Sequence, residues 1–200
     1  MTRRPIRIGI AGTHSTGKTE FLNLLRLRLH GAGLLVGNVQ DLAAAARELG
    51  FPILTEHTYE STLWIMAEGM RRECEAALSS DVILIDRPIF DAVGYFEAAL
   101  EFTGRTASAQ QLEELHIIAR AHLGAYNLVI GTEMDPTIEL GEGRDANEEF
   151  RLSAAKHIEA FLMREAPDAL ILTSSNRADL LDQTETFITR CFADNSHPPK

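Results

Sequence analysis

The stretch that decides the fold is Gly9-Ile10-Ala11-Gly12-Thr13-His14-Ser15-Thr16-Gly17-Lys18-Thr19-Glu20-Phe21-Leu22. It joins a short apolar run to a leucine-rich helical pattern through a loop that fits G-x-x-x-x-G-K-[ST] at every fixed position, Gly12 to Thr19. Glycines let a backbone wrap closely around phosphate oxygens and aim its N–H groups inward, and the positive end of the following helix adds to the attraction. Lys18 is expected to reach the β- and γ-phosphates of a bound nucleotide and the Thr19 hydroxyl to bind Mg²⁺. Thr13, His14, Ser15 and Thr16 complete the cradle, with His14 read as a tolerated loop residue rather than a catalyst.

Outward from this loop, strand-length apolar runs alternate with helical patterns. Residues 6–11, 34–39, 82–85, 128–131 and 170–172 read as strands; 18–29, 42–49, 61–78, 89–100, 108–123, 146–164 and 177–192 read as amphipathic helices. Such alternation predicts an α/β fold in three layers, a five-stranded parallel sheet with helices on both faces. Ligands of these sheets bind at the carboxyl ends of the strands, so the residues after each strand are the candidates for chemistry. A single domain over 1–193 is expected, with a short arginine-bearing lid at about 135–152 and a flexible tail at 194–200.

The 200 residues, 45% apolar and 24% charged, have globular composition, and the net charge of −10 opposes long-range attraction to polyanions. Nucleic acid and membrane surfaces are thereby disfavoured as partners, and phosphate binding must rely on local cations. Two cysteines without C-x-x-C spacing argue for a reducing compartment and against a thiolate metal site. No signal peptide or spanning helix is readable, so a cytoplasmic protein is expected. The seven histidines form no metal-binding pattern.

After the third apolar run come Asp86 and Arg87. An acid at this strand end can hold metal-bound water or take a proton from an acceptor, and the arginine can offset charge on a transferred phosphoryl group. Pro88 disfavours the helical conformation at Arg87 and suits a first helical position, which predicts an extended Arg87 at a helix entrance. Asp41, after the second run, reads equally as a helix cap and as a contact to acceptor hydroxyls, with Arg47 downstream. His57 and Tyr59, in a polar segment, and Asp91, in a D-x-x-G that falls within a helical pattern, are further acceptor-side candidates. Trp64 reads as core. Arg144, set among glycines, and Arg151 near a helix start suggest a lid that closes over phosphates. Asn176 lies in N-R-x-D, which is similar to the guanine-reading N-K-x-D of G proteins, and is read as part of the loop beside the nucleotide base.

With the phosphate loop, Asp86-Arg87 and Gly143-Arg144 in this order, the chain resembles the small P-loop kinases typified by the ribosylnicotinamide kinase domain and its ATPase-like relatives, and more distantly the nucleoside and nucleoside-monophosphate kinases. The resemblance spans about residues 6–192. It implies ATP and Mg²⁺, phosphoryl transfer to a small-molecule acceptor, a strand-ending pair at Asp86 and Arg87, an acid and arginine at Asp41 and Arg47, and lid arginines at Arg144 and Arg151. Pro88 stands where a hydroxylated residue is common, and Glu20 adds negative charge beside the loop. Two alternatives stay open: a nucleotide-hydrolysing switch without an acceptor, and a kinase of modified nucleotides in a polymer. A homodimer, the acceptor and the preference for ATP over GTP are left open as well.

Overall fold

The structure, a computed structural model, describes residues 4–13, 16–134 and 147–194. Five parallel strands, β1 (Ile6–Ala11), β2 (Val36–Val39), β3 (Val82–Asp86), β4 (Leu128–Thr132) and β5 (Leu170–Leu172), form one sheet in the order β2-β3-β1-β4-β5. The helices are α1 (Lys18–Gly31), α2 (Ala43–Glu48), α3 (Tyr59–Ala76), α4 (Ile89–Thr103), α5 (Ala109–Leu123), α6 (Glu148–Glu165) and α7 (Arg177–Asp194), and residues Leu54–Glu56 form one 3-10 turn. Each apolar run became a strand and each amphipathic stretch a helix. The lid residues 135–146, with Arg144, lie outside the described residues, as do His14, Ser15 and residues 195–200.

Alternation along β1 divides the core into two layers. Ile6, Ile8 and Ile10 meet Phe21 and Leu25 of α1 and Leu180 and Ile188 of α7 on one face. The other face carries Met66 of α3, Phe90 of α4, and Ile158 and Phe161 of α6. Phe21, Leu25 and Ile8 are wholly buried, and burial of each such side chain contributes about 1.5–3 kcal/mol. Helix α4 is buried on nearly every side from Ile89 to Phe96, between α3, α5 and α6, as its largely apolar sequence requires.

Two local readings are corrected. Leu34 and Leu35 do not begin β2: Gly33 takes a positive φ of 79° as α1 ends, and the Leu34 N–H closes that helix on the Leu29 carbonyl. Arg87 is not extended. Its φ is 67°, in the left-handed region, while its N–H donates to Ile10 of β1 at 3.1 Å. The proline rule expresses a local preference; the sheet contact and the side-chain contacts described next oppose it.

Candidate functional site

The phosphate loop hangs between β1 and α1 with both fixed glycines at positive φ, 126° at Gly12 and 80° at Gly17. A Cβ at Gly12 would lie 2.0 Å from Thr132 Oγ1, and this hydroxyl is fixed by donating to the Ala11 carbonyl at 3.0 Å. The Gly12 N–H donates to Asp91 Oδ2 at 2.8 Å. The side chain of Lys18 lies along the loop, with Nζ donating to the carbonyl of Gly12 at 2.8 Å and also to that of Thr13. Burial, followed by the charge of Arg87, lowers the Lys18 ammonium below its usual range, against Asp86 and Asp91. Burial likewise pushes the Asp91 carboxyl up, against the attraction of Arg87 and the Gly12 N–H. Glu20 forms an ion pair with Arg177 at 2.6 Å.

One cavity of about 470 Å³ runs from this loop over the carboxyl ends of β2 and β3. Its wall brings together Thr16, Gly17, Lys18 and Thr19 from the loop end with Asp41, Arg47, His57, Asp86, Arg87 and Asp91. Asp41 makes two contacts: Oδ1 accepts the Ala43 N–H at 2.9 Å, at the start of α2, and Oδ2 meets Arg87 Nε at 2.8 Å. The Arg87 guanidinium also lies 4.9 Å from the centroid of the Tyr95 ring. Burial opposes its charge, but Asp41, Tyr95 and Asp91 hold its pKa above the usual arginine range.

His57 is buried, with Nδ1 3.0 Å from the Leu54 carbonyl, and its ring packs against Tyr95 at 6.0 Å between centroids. Burial pushes the imidazole down to about 4, so it is neutral near pH 7. Arg105 clamps the turn that carries it, donating to Thr55 O at 2.8 Å and to His57 O at 3.0 Å.

The remaining expected residues lie elsewhere. Tyr59 stands in the first turn of α3, outside the cavity wall. Arg151 is buried on α6, seven residues before Ile158, which packs on Gly94 of α4; helical periodicity puts Arg151 on that same α4-facing side. The Asn176 amide is committed to its own loop, accepting from Thr173 N–H at 2.9 Å and donating to Ile171 O at 2.7 Å. Trp64 is half-buried and stacks on Phe51. The sequence reading missed Tyr95, Arg105 and Thr132, which join the site through contacts far apart in the chain.

Among known proteins, the AAA domain family matches residues 7–175, from the first residues of β1 to the loop after β5. The chain belongs to the AAA domain family. The match, together with the G-x-x-x-x-G-K-[ST] loop from Gly12 to Thr19, places the chain in the P-loop NTPase class. No curated protein matches it. Among solved structures, its fold is similar to the NadR protein in complex with NAD and AMP-PNP, at 14% identity and TM-score 0.61, over 92% of this chain and 50% of that one. It is also similar to the NadR protein in complex with NR, at 11% identity and TM-score 0.65, over 92% and 52%. The AAA domain thus has the fold expected from its resemblance to ribosylnicotinamide kinase and spans about half the length of these chains. Among its described residues, no helix is long and apolar enough to cross a membrane.

Proposed function

We propose that this protein is a Mg²⁺- and ATP-dependent kinase that transfers a phosphoryl group to a hydroxyl of a small molecule. The observation that carries this reading is the single cavity that joins a nucleotide-binding loop to a second, differently built end, where Asp41, His57 and Arg87 meet. A site for hydrolysis alone needs no second end of this kind. Acids are also in excess among the charged residues of the wall, where Glu20, Asp41, Glu73, Asp86 and Asp91 face Lys18, Arg47 and Arg87. This balance favours an uncharged hydroxyl over a phosphate as acceptor.

The chain fits the donor: two glycines at positive φ open the loop, α1 begins at Lys18, and the Thr19 side chain is exposed at the cavity wall. Mg²⁺, held through Thr19 and Asp86, would supply charge stabilisation to the phosphates. Lys18 grips the donor phosphates, Asp86 or Asp41 receives the acceptor proton, and Arg87 offsets charge on the phosphoryl group in flight. The NR and NAD of the NadR structures make nucleosides and nucleotides the first acceptors to try.

Incubation with Mg-ATP and a pool of nucleosides, nucleotides and polyols, read by mass spectrometry, tests the proposal. One phosphorylated compound, with turnover lowered roughly 10²–10³-fold in Lys18→Ala, is the expected result. The AAA domain match supports a second reading, a nucleotide hydrolase without an acceptor. ADP release with no phosphorylated product in any pool selects it.

A further inference from the structure

The end of the cavity away from the phosphate loop combines apolar walls with one polar side chain that has an atom to spare. Val39, Leu42, Ile53, Leu54 and Ile65 line the cavity beside His57. Asp41 and Arg87 pair with each other there. Glu73, also of the wall and 1% exposed in its side chain, is engaged within the fold: Oε1 accepts from the Tyr126 hydroxyl at 2.8 Å and Oε2 lies 2.9 Å from His122 Nε2.

His57 differs from these. It is 3% exposed, and its Nδ1 faces the Leu54 carbonyl, which can only accept. In the neutral ring Nδ1 therefore carries the proton and Nε2 the lone pair. The same carbonyl accepts the His57 backbone N–H at 3.1 Å, so main chain and side chain are tied to one atom and the tautomer is fixed. Nε2 has no hydrogen-bond partner among the described residues. A buried acceptor left in this way costs free energy and calls for a reason. The backbone points to one. Leu54, with φ 60°, and Arg87, with φ 67°, are the non-glycine residues at positive φ among the described residues, and both line this cavity. Strain of this kind gathers where a fold clamps a ligand.

We propose that His57 selects the acceptor: Nε2 takes a hydrogen bond from a hydroxyl or N–H of a neutral molecule whose apolar body lies along Val39, Leu42, Ile53 and Ile65. This rests on the kinase reading for the name of acceptor and narrows it to an alcohol with an apolar ring or chain. A polyol laid on these walls would give up hydrogen bonds to water without replacement, whereas an apolar body gains by leaving water. A charged group finds no partner in a lone pair on a neutral ring, and a molecule without a donor leaves Nε2 unpaired.

The test uses probes built on one six-carbon ring: cyclohexanol, cyclohexanone, which lacks the donor, and inositol, which lacks the apolar body. Each is titrated without ATP into wild type and His57→Phe and followed by NMR on the Ile65 methyl signals. The tautomer is read from the ring nitrogens of His57, assigned through its backbone signals. Wild type is expected to carry the proton on Nδ1 at pH 7 and to bind cyclohexanol about tenfold or more tightly than either other probe. In His57→Phe the alcohol and the ketone should bind within about threefold of each other. A proton on Nε2, a ketone or inositol bound as tightly as the alcohol, an unchanged preference in His57→Phe, or no response of Ile65 to any probe would overturn the proposal. If His57→Phe does not fold, wild type decides: the Nδ1–H tautomer together with the preference for the alcohol supports the proposal, and the absence of either defeats it. Binding is read without nucleotide, so the two readings fail separately. A phosphorylated product in the mass-spectrometric assay without this preference removes the role of His57 alone, and the preference with ADP release but no product removes the kinase alone.

Discussion

Gly12 and Asp91 are joined by one hydrogen bond, backbone N–H to Oδ2 at 2.8 Å, that ties the start of the phosphate loop to the first turn of α4. Asp91 is buried and its other oxygen has no hydrogen-bond partner, so its charge is held where desolvation opposes it. Asp91→Asn preserves an acceptor for Gly12 and should change nucleotide affinity by less than about fivefold, whereas Asp91→Ala leaves the Gly12 N–H without its partner and should weaken it by about tenfold or more. Equal effects of the two, measured by titration with a fluorescent ATP analogue, would show that the carboxylate acts through charge and not through the loop.

Arg105 stands outside the cavity but holds one side of it. Its guanidinium bonds to the carbonyls of Thr55 and His57 order the 3-10 turn and the residue after it, and Leu54 and His57 of this segment line the wall. Arg105→Met keeps the apolar stem and removes both bonds, each worth about 1.5–3 kcal/mol when the donor is charged. The expected result is an acceptor KM raised about tenfold or more with donor KM nearly unchanged. A rise in donor KM alone would place the turn on the wrong side of the reaction.

The reach of the sequence ends where contacts cease to be local. The phosphate loop was legible because Gly12, Gly17, Lys18 and Thr19 stand at fixed spacing between a strand and a helix, and the alternation gave five parallel strands but not their order in the sheet. The φ of Arg87 was not legible, because a one-residue bias from Pro88 says nothing of Ile10 across the sheet or of Asp41 across the cavity. Arg105 lies 48 to 50 positions from the carbonyls that it grips, and Glu73 lies 53 from Tyr126. A signal for Glu73 did exist: it continues the buried spacing of Met66 and Gly69 along α3, and an acid on an inward stripe invites a search for partners.

Acid and base should both loosen the outer helices. Glu97 of α4 meets His116 of α5 at 2.8 Å and His157 of α6 at 3.3 Å, and His157 also meets Glu101 at 2.9 Å. Burial opposes the charge of Glu97, but the two histidines hold its carboxyl down at about 2. The glutamates raise His157, against its partial burial. A depressed acid contributes stability above its unfolded value, about 4.3, and loses it as pH falls toward about 2; a raised histidine contributes below about 6.5 and loses it as pH climbs through its folded value. The Tm difference between wild type and His157→Gln should therefore be greatest from about pH 4.5 to 6.5 and shrink on both sides. A difference independent of pH would mean that His157 acts by packing alone.

Asp41 and Arg87 offer the sharpest test of which carboxylate handles the acceptor. Oδ1 of Asp41 supports the start of α2 and Oδ2 binds Arg87, so Asp41→Asn can keep the first contact while turning an amide toward a guanidinium that has nothing to accept. If Asp41 mainly positions Arg87, the loss should be that of one charged hydrogen bond, about 1.5–3 kcal/mol, or about 10–100-fold in kcat/KM. Arg87→Ala should then add little to Asp41→Asn, because both changes remove the same interaction. If Asp41 is the base, kcat should fall further than that with donor binding intact, the double variant should lose the effects of both changes, and Asp86→Asn should act through metal-dependent donor binding instead. A magnesium titration of the Asp86→Asn and Asp41→Asn proteins beside their kcat values separates the two assignments, since only the residue that holds the metal shifts the concentration at half-maximal rate.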